Sequence, residues 1–129
     1  MSVPVSKHWF SLSIRRNRQS YILAVLALTA VFSAVIIALG FFGVGWTRFM
    51  TIMWWFVVPY LICGCLLTSQ RLRDFGLPGG LALLWVPLAF AGGDMGAAAA
   101  LIFFLVLCAV PGTAGDNRYG ADPLAEGEV

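Results

Sequence analysis

Titratable and metal-binding side chains are scarce in this sequence. His8 is the single histidine in 129 residues, so a Ser-His-Asp arrangement would rest on one imidazole beside Lys7 near the start of the chain, with no co-ligand in view. Cys63, Cys65 and Cys108 are odd in number, form no C-x-x-C pair and all fall inside apolar stretches. That excludes a disulfide framework and a zinc knuckle, and leaves them as small buried hydrophobes. Charged residues make up 11% of the chain against 60% hydrophobic ones, with a formal net charge of +2. The few basic residues lie in short clusters between apolar runs and not along one face, which excludes a nucleic-acid binder.

Long uncharged runs fill the rest. Residues 21–43 ("YILAVLALTAVFSAVIIALGFFG") would measure about 34 Å as a helix, enough for a hydrocarbon core of about 30 Å, and too long for the apolar region of a signal peptide. We expect this first span to be retained. Residues 49–69 form a second, with Pro59 inside it as a kink, and the short connector "GVGWTR" makes the two an antiparallel hairpin. From Leu77 to Pro111 the chain is apolar except for Asp94; one helix of about 50 Å is too long for a single crossing, so the run must break at "GGDMG". Two shorter spans follow, 80–91 and 95–110, the first irregular at Pro87.

The fold expected is therefore an all-α integral membrane bundle of four transmembrane helices, the third short or irregular. Lys7, Arg15, Arg16, Arg18, Arg71, Arg73 and Arg118 fall on one side and Arg48 on the other, so the positive-inside rule places both termini in the cytoplasm. Residues 1–20 form a cytoplasmic or interfacial segment in which "KHWFSLSI" anchors Trp9, Phe10, Leu12 and Ile14 at headgroup level. Residues 21–111 form the transmembrane domain, and 112–129 a cytoplasmic cap and tail frayed at its end. Ala30, Ala34 and Ala38, and again Gly96 and Ala100, stand at the four-residue spacing that lets membrane helices pack closely.

No charged side chain lies within the predicted spans, which argues against an ion pump or proton-coupled transporter. Asp74, Asp94, Asp116 and Asp122 cannot share one site, because Asp94 falls on the opposite face. "DNRYGAD" places Arg118 and Gly120 where a calcium loop needs ligands. "GTAG" lacks the lysine and following helix of a phosphate loop. We expect no enzyme activity, cofactor or metal. Three cytoplasmic stretches remain: "RRNRQSY", "QRLRDFGLPGG" and "PGTAGDNRYGADP". The last reads as a compact turn in which Pro111 stops the helix, Gly112 or Gly115 takes positive φ, and Asn117 and Tyr119 hold the turn to the bundle. Arg15, Arg16, Arg18 and Arg71 near the inner headgroups would attract anionic lipid at about 1 kcal/mol each.

These stretches resemble the small bacterial inner-membrane proteins of the domain of unknown function 805 family. The family carries G-R-x-x-R-x-x-F/Y before its first helix, R-R-L-H-D-x-G-x-S-G-W in its central loop and P-G-x-x-G-x-N-x-Y-G-x-D-P at its end. Arg15, Arg18 and Tyr21 match the first; Arg71, Leu72, Asp74, Gly76 and Gly79 the second; Pro111, Gly112, Gly115, Asn117, Tyr119, Gly120, Asp122 and Pro123 the third. Ile14, Gln70, Arg73 and Gly80 stand where the family has glycine, arginine, histidine and tryptophan. An arginine in place of the loop histidine cannot titrate near neutral pH, which weighs further against catalysis. The resemblance implies a location and an architecture and no mechanism. The candidate cytoplasmic polar cluster, structural or for lipid headgroups, is Arg15, Arg18, Arg71, Asp74, Asn117, Tyr119 and Asp122. The role expected is a scaffold or accessory subunit with a protein partner or a second copy; binding or transport of a lipid or small amphiphile is the alternative.

Overall fold

The computed structural model describes residues 14–124. Four α-helices and a 3₁₀ segment follow in order: α1 (Arg18–Phe41), α2 (Trp46–Asp74), the 3₁₀ segment Gly79–Leu84, α3 (Trp85–Ala91) and α4 (Gly93–Ala109). Among the described residues there is no strand, only a single bridge between Asn117 and Gly120. The amino-terminal anchor around His8 and the chain end around Glu126 lie outside the described residues.

Asn17 starts α1. Its side-chain oxygen accepts the Ser20 N–H at 2.9 Å and its carbonyl accepts the Tyr21 N–H at 3.0 Å, which satisfies donors that a helix start leaves open. The helix therefore begins ahead of Tyr21, the first residue of the uncharged run. Gly43, at φ 62°, makes the turn into α2. Pro59 lies within α2, and the helix continues through it to Asp74. "QRLRD" is thus the last turn of a helix rather than loop, with Arg71 and Arg73 beside its negative dipole end. Gly76 closes α2 at φ 76°: Leu77 N–H reaches Leu72 O at 3.0 Å and Gly76 N–H reaches Arg73 O at 2.9 Å. That is a Schellman ending, followed at once by Pro78.

α1 and α2, at 24 and 29 residues, are long and apolar enough to cross a membrane, spanning about 36 and 44 Å. The return legs are shorter. The 3₁₀ segment and α3, six and seven residues, together reach only about 22 Å, and the 17 residues of α4 about 26 Å. The chain bends between them at Gly92 and Gly93, the latter at φ 53°, and α4 approaches α3 so closely that a Cβ on Gly96 would collide with the Leu88 carbonyl. Gly96 and Ala100 are buried, whereas Ala30, Ala34 and Ala38 of α1 are exposed.

The buried core gathers at one end. Tyr21 and Ala24 of α1 meet Leu67 and Leu72 of α2, Ala82 of the 3₁₀ segment and Leu107 of α4. The Tyr21 ring lies 6.2 Å from that of Phe104, and Phe32 stacks on Tyr60 at 4.5 Å farther along the α1–α2 pair. At the other end Phe41, Phe42 and Trp46 are exposed.

Candidate functional site

The three polar stretches converge at the core end, where the start of α1, the end of α2 and the chain beyond α4 meet. At their centre is Asp74, 4% exposed, bridged by two arginines that are themselves buried, Arg15 and Arg71. Arg15 gives Nε–H and Nη2–H to Asp74 Oδ1 at 3.3 and 3.0 Å. Its remaining N–H groups reach the carbonyls of Thr113 at 2.7 Å, Gly115 at 2.8 Å and Gly120 at 3.1 Å. All five donors of that guanidinium are thereby occupied. Arg71 pairs with Asp74 Oδ2 and donates to Leu107 O at 2.9 Å, Val110 O at 2.5 Å and Arg16 O at 3.4 Å. The contacts to Leu107 and Val110 satisfy carbonyls that the end of α4 leaves open, and the one to Arg16 ties in the start of α1.

Gly112 is required here for space. A Cβ at that position would overlap the Asp74 carboxylate, and Thr113 N–H donates to Asp74 O at 2.7 Å just beyond it. The positive φ expected of Gly112 or Gly115 belongs to Gly115, at 76°. Asp122 receives the Gly115 N–H on Oδ2 at 2.8 Å and the Leu124 N–H on Oδ1 at 2.9 Å; these bonds hold its carboxyl below the usual aspartate range. Asn117 donates from Nδ2 to Arg73 O at 2.9 Å and accepts the Tyr119 N–H at 2.8 Å. Tyr119 is half-buried, with the Arg118 guanidinium 4.7 Å and that of Arg73 6.0 Å from its ring centroid.

The hold expected of Asn117 on the turn takes the form of its bond to the Arg73 carbonyl, joined by those of Arg15 to Thr113, Gly115 and Gly120, and among the described residues the ion pairs are Arg15–Asp74 and Arg71–Asp74. One expectation is corrected by this arrangement. The headgroup role for the arginines does not extend to Arg15, Arg16 and Arg71, which are 3%, 0% and 0% exposed. Arg18 is exposed and stands apart from the Asp74 group, donating to Ala109 O at 3.3 Å.

Sequence reasoning missed a second buried group. Arg16 Nε–H donates to Gln70 Oε1 at 2.7 Å and Nη1–H to Ser20 Oγ at 2.6 Å, while Arg16 N–H reaches Gln70 O at 3.2 Å. Burial pushes the Arg16 pKa down. The available signal was Gln70, a neutral acceptor where the family pattern has a further arginine.

Among the described residues no three His, Cys, Asp or Glu side chains come together. The geometry is that of a knot: Arg15, Arg16, Arg71 and Asp74 each meet an opposite charge, an amide or a carbonyl, and the three stretches hold one another. Fold and knot together define an all-helical protein with two helices of membrane-crossing length and a polar clamp at one end. The chain belongs to a family described as a protein of unknown function (DUF805), whose model matches residues 9–121. Comparison with curated proteins and with solved structures finds no match.

Proposed function

We propose that this chain is a multi-pass protein of the bacterial inner membrane that acts as a scaffold or accessory subunit, engaging a protein partner or a second copy of itself within the bilayer. In this reading the helices cross four times with both termini in the cytoplasm. Support for the orientation is the charge division: Arg15, Arg16, Arg18, Arg71, Arg73 and Arg118 gather at the knot end, and Arg48 lies in the first turn of α2. The short return legs cross by tilting or by local thinning of the bilayer.

The observation that carries the assembly role is the bare face of α1. Its buried residues are Ser20, Tyr21 and Ala24, all near its start, and beyond them Ala30, Ala34 and Ala38 face out of the chain. Such a stripe allows a second helix to approach closely, and packing of this kind drives association in lipid. The corresponding small residues of α4, Gly96 and Ala100, are already buried inside the chain. The arginines and Asp74 of the knot are engaged with one another and with backbone, which favours a structural over a chemical role for the cap.

Native mass spectrometry of protein extracted in mild detergent tests the reading. The expected species is a dimer or a complex with a second protein, reduced to monomer by Ala34→Phe. A strictly monomeric wild-type chain with no co-purifying protein overturns it.

A further inference from the structure

A second feature lies on the opposite flank of α2. The 3₁₀ segment leans against that helix and leaves a groove of about 390 Å³, open to the outside along part of its length. Ile62, Cys65 and Leu66 of α2 form one wall, and Ala82 and Leu83 the other. At the knot end the groove closes on Ser69, Arg73 and Gly79. Gly79 carries no Cβ because one would fall on the Ser69 hydroxyl and on the Arg73 guanidinium, so the guanidinium lies over that bare backbone.

Arg73 differs from the other arginines around it. Arg15 and Arg71 share Asp74, whereas Arg73 has no carboxylate partner among the described residues. Its Nη1 is buried and makes no hydrogen bond. A charged donor shut away from water with no acceptor is unfavourable, and the deficit is removed by an anion that reaches it. The groove that this guanidinium closes is almost wholly apolar. A free anion would compensate the guanidinium and leave the groove empty; an anion carrying a chain of methylenes does both. From Arg73 to Ile62 the groove follows α2 for about 17 Å, close to the depth of one leaflet of a hydrocarbon core about 30 Å thick.

We infer that this groove seats one acyl chain of an anionic phospholipid, with the lipid phosphate at the Arg73 guanidinium and the chain running along α2 past Ser69 and Cys65 to Ile62. The lipid belongs to the leaflet at the knot end. Its phosphate supplies the acceptor that Arg73 lacks, and its chain covers the wall that the 3₁₀ segment leaves open. This site is separate from the α1 face, so loss of association and loss of lipid are distinguishable results.

The test uses the full chain in mild detergent, titrated with dioleoyl phosphatidylglycerol or dioleoyl phosphatidylcholine and read by native mass spectrometry. One phosphatidylglycerol should be retained per chain in preference to phosphatidylcholine. Arg73→Gln should weaken that retention about fivefold, the ratio carried by an interfacial arginine worth ~1 kcal/mol. Gly80→Trp should displace the lipid, because nothing lies within 4 Å of a Cβ there and the indole has room to enter the groove. Ile62→Trp, at an exposed position in the opposite wall, should do the same if the glycine variant does not fold. Arg48→Gln, at an exposed position in the first turn of α2 and away from the groove, should leave retention unchanged. Equal retention of the two lipids, retention unaffected by Arg73→Gln or by both tryptophan variants, or displacement by millimolar inorganic phosphate would each overturn the proposal.

Discussion

At the scale of single residues, Asp74 decides whether the knot holds. Two guanidiniums are buried against its carboxylate, and removing one member of a buried pair leaves the other charge without compensation. Asp74→Asn should therefore lower stability in detergent by about 3–5 kcal/mol, read as denaturant or thermal unfolding. Asp116→Asn, at an exposed position and still able to accept the Asp122 N–H, should stay within about 0.5 kcal/mol of wild type. Equal melting of the two variants would remove Asp74 from the centre of the structure. Asp74 and its arginines were visible in the sequence as charged residues of a motif, but their partners were not. Arg15 binds mainly carbonyls, and every residue has one, so no pattern of side chains marks Thr113, Gly115 and Gly120 as its acceptors. Gly112 was hidden for the same reason: its role is set by what lies opposite it, which a local turn rule does not contain.

At the scale of elements, the terminal stretch is a docked cap held by few bonds. Asn117→Ala removes the side-chain donor to Arg73 O and should lower the melting transition by about 1–3 kcal/mol. Tyr119→Ala should have a smaller effect, about 0.5–1 kcal/mol, since its ring meets Arg118 and Arg73 at a half-exposed position. An unchanged transition for Asn117→Ala would mean that the bonds of Arg15 and Thr113 secure the cap without it. Asp122 adds a pH dependence. Its folded pKa lies below the ordinary value of 3.8, so its contribution is complete above that value and is lost as the pH falls through the folded pKa. Amide protection at Gly115 and Leu124, corrected for intrinsic exchange, should be constant from neutral pH to about pH 5 and fall on the acid side of the aspartate range. Asp122→Ala should abolish that dependence. The helices themselves were legible because uncharged runs of this length have few alternatives. Their ends were less so: Asn17 begins α1 ahead of the apolar run, and "QRLRD" extends α2 beyond it, since polar residues continue a helix wherever its last turn finds partners. The 3₁₀ geometry of Gly79–Leu84 had no signal in the sequence, whereas the break at Gly92, just ahead of Asp94, was readable from the length of the apolar run and its glycines.

At the scale of the whole molecule, the proposed topology sets Asp94 and Asp122 on opposite sides of the membrane. In a chain lacking Cys63, Cys65 and Cys108, a cysteine at Asp94 should react with an impermeant thiol reagent added to intact cells, and one at Asp122 should not. Labelling at Asp122 from outside would mean that α3 and α4 enter and leave on the same side. The position of the knot has a further consequence, in the order of synthesis. Arg15 takes its acceptors from Thr113, Gly115 and Gly120, 98, 100 and 105 residues later in the chain. At roughly 5–20 residues per second a ribosome needs about 5–20 s to cover such a distance. Over that interval Arg15 has none of its tail partners, and it must remain hydrated while α1 and α2 are made. A hydrated guanidinium resists being drawn through a bilayer, so in the proposed topology the unfinished knot would keep the start of α1 on the side where it was synthesised. In that proposed topology the same arginine would act first as a brake on translocation and then, once Gly120 has emerged, as the fastening that ties the start of α1 to the chain beyond α4.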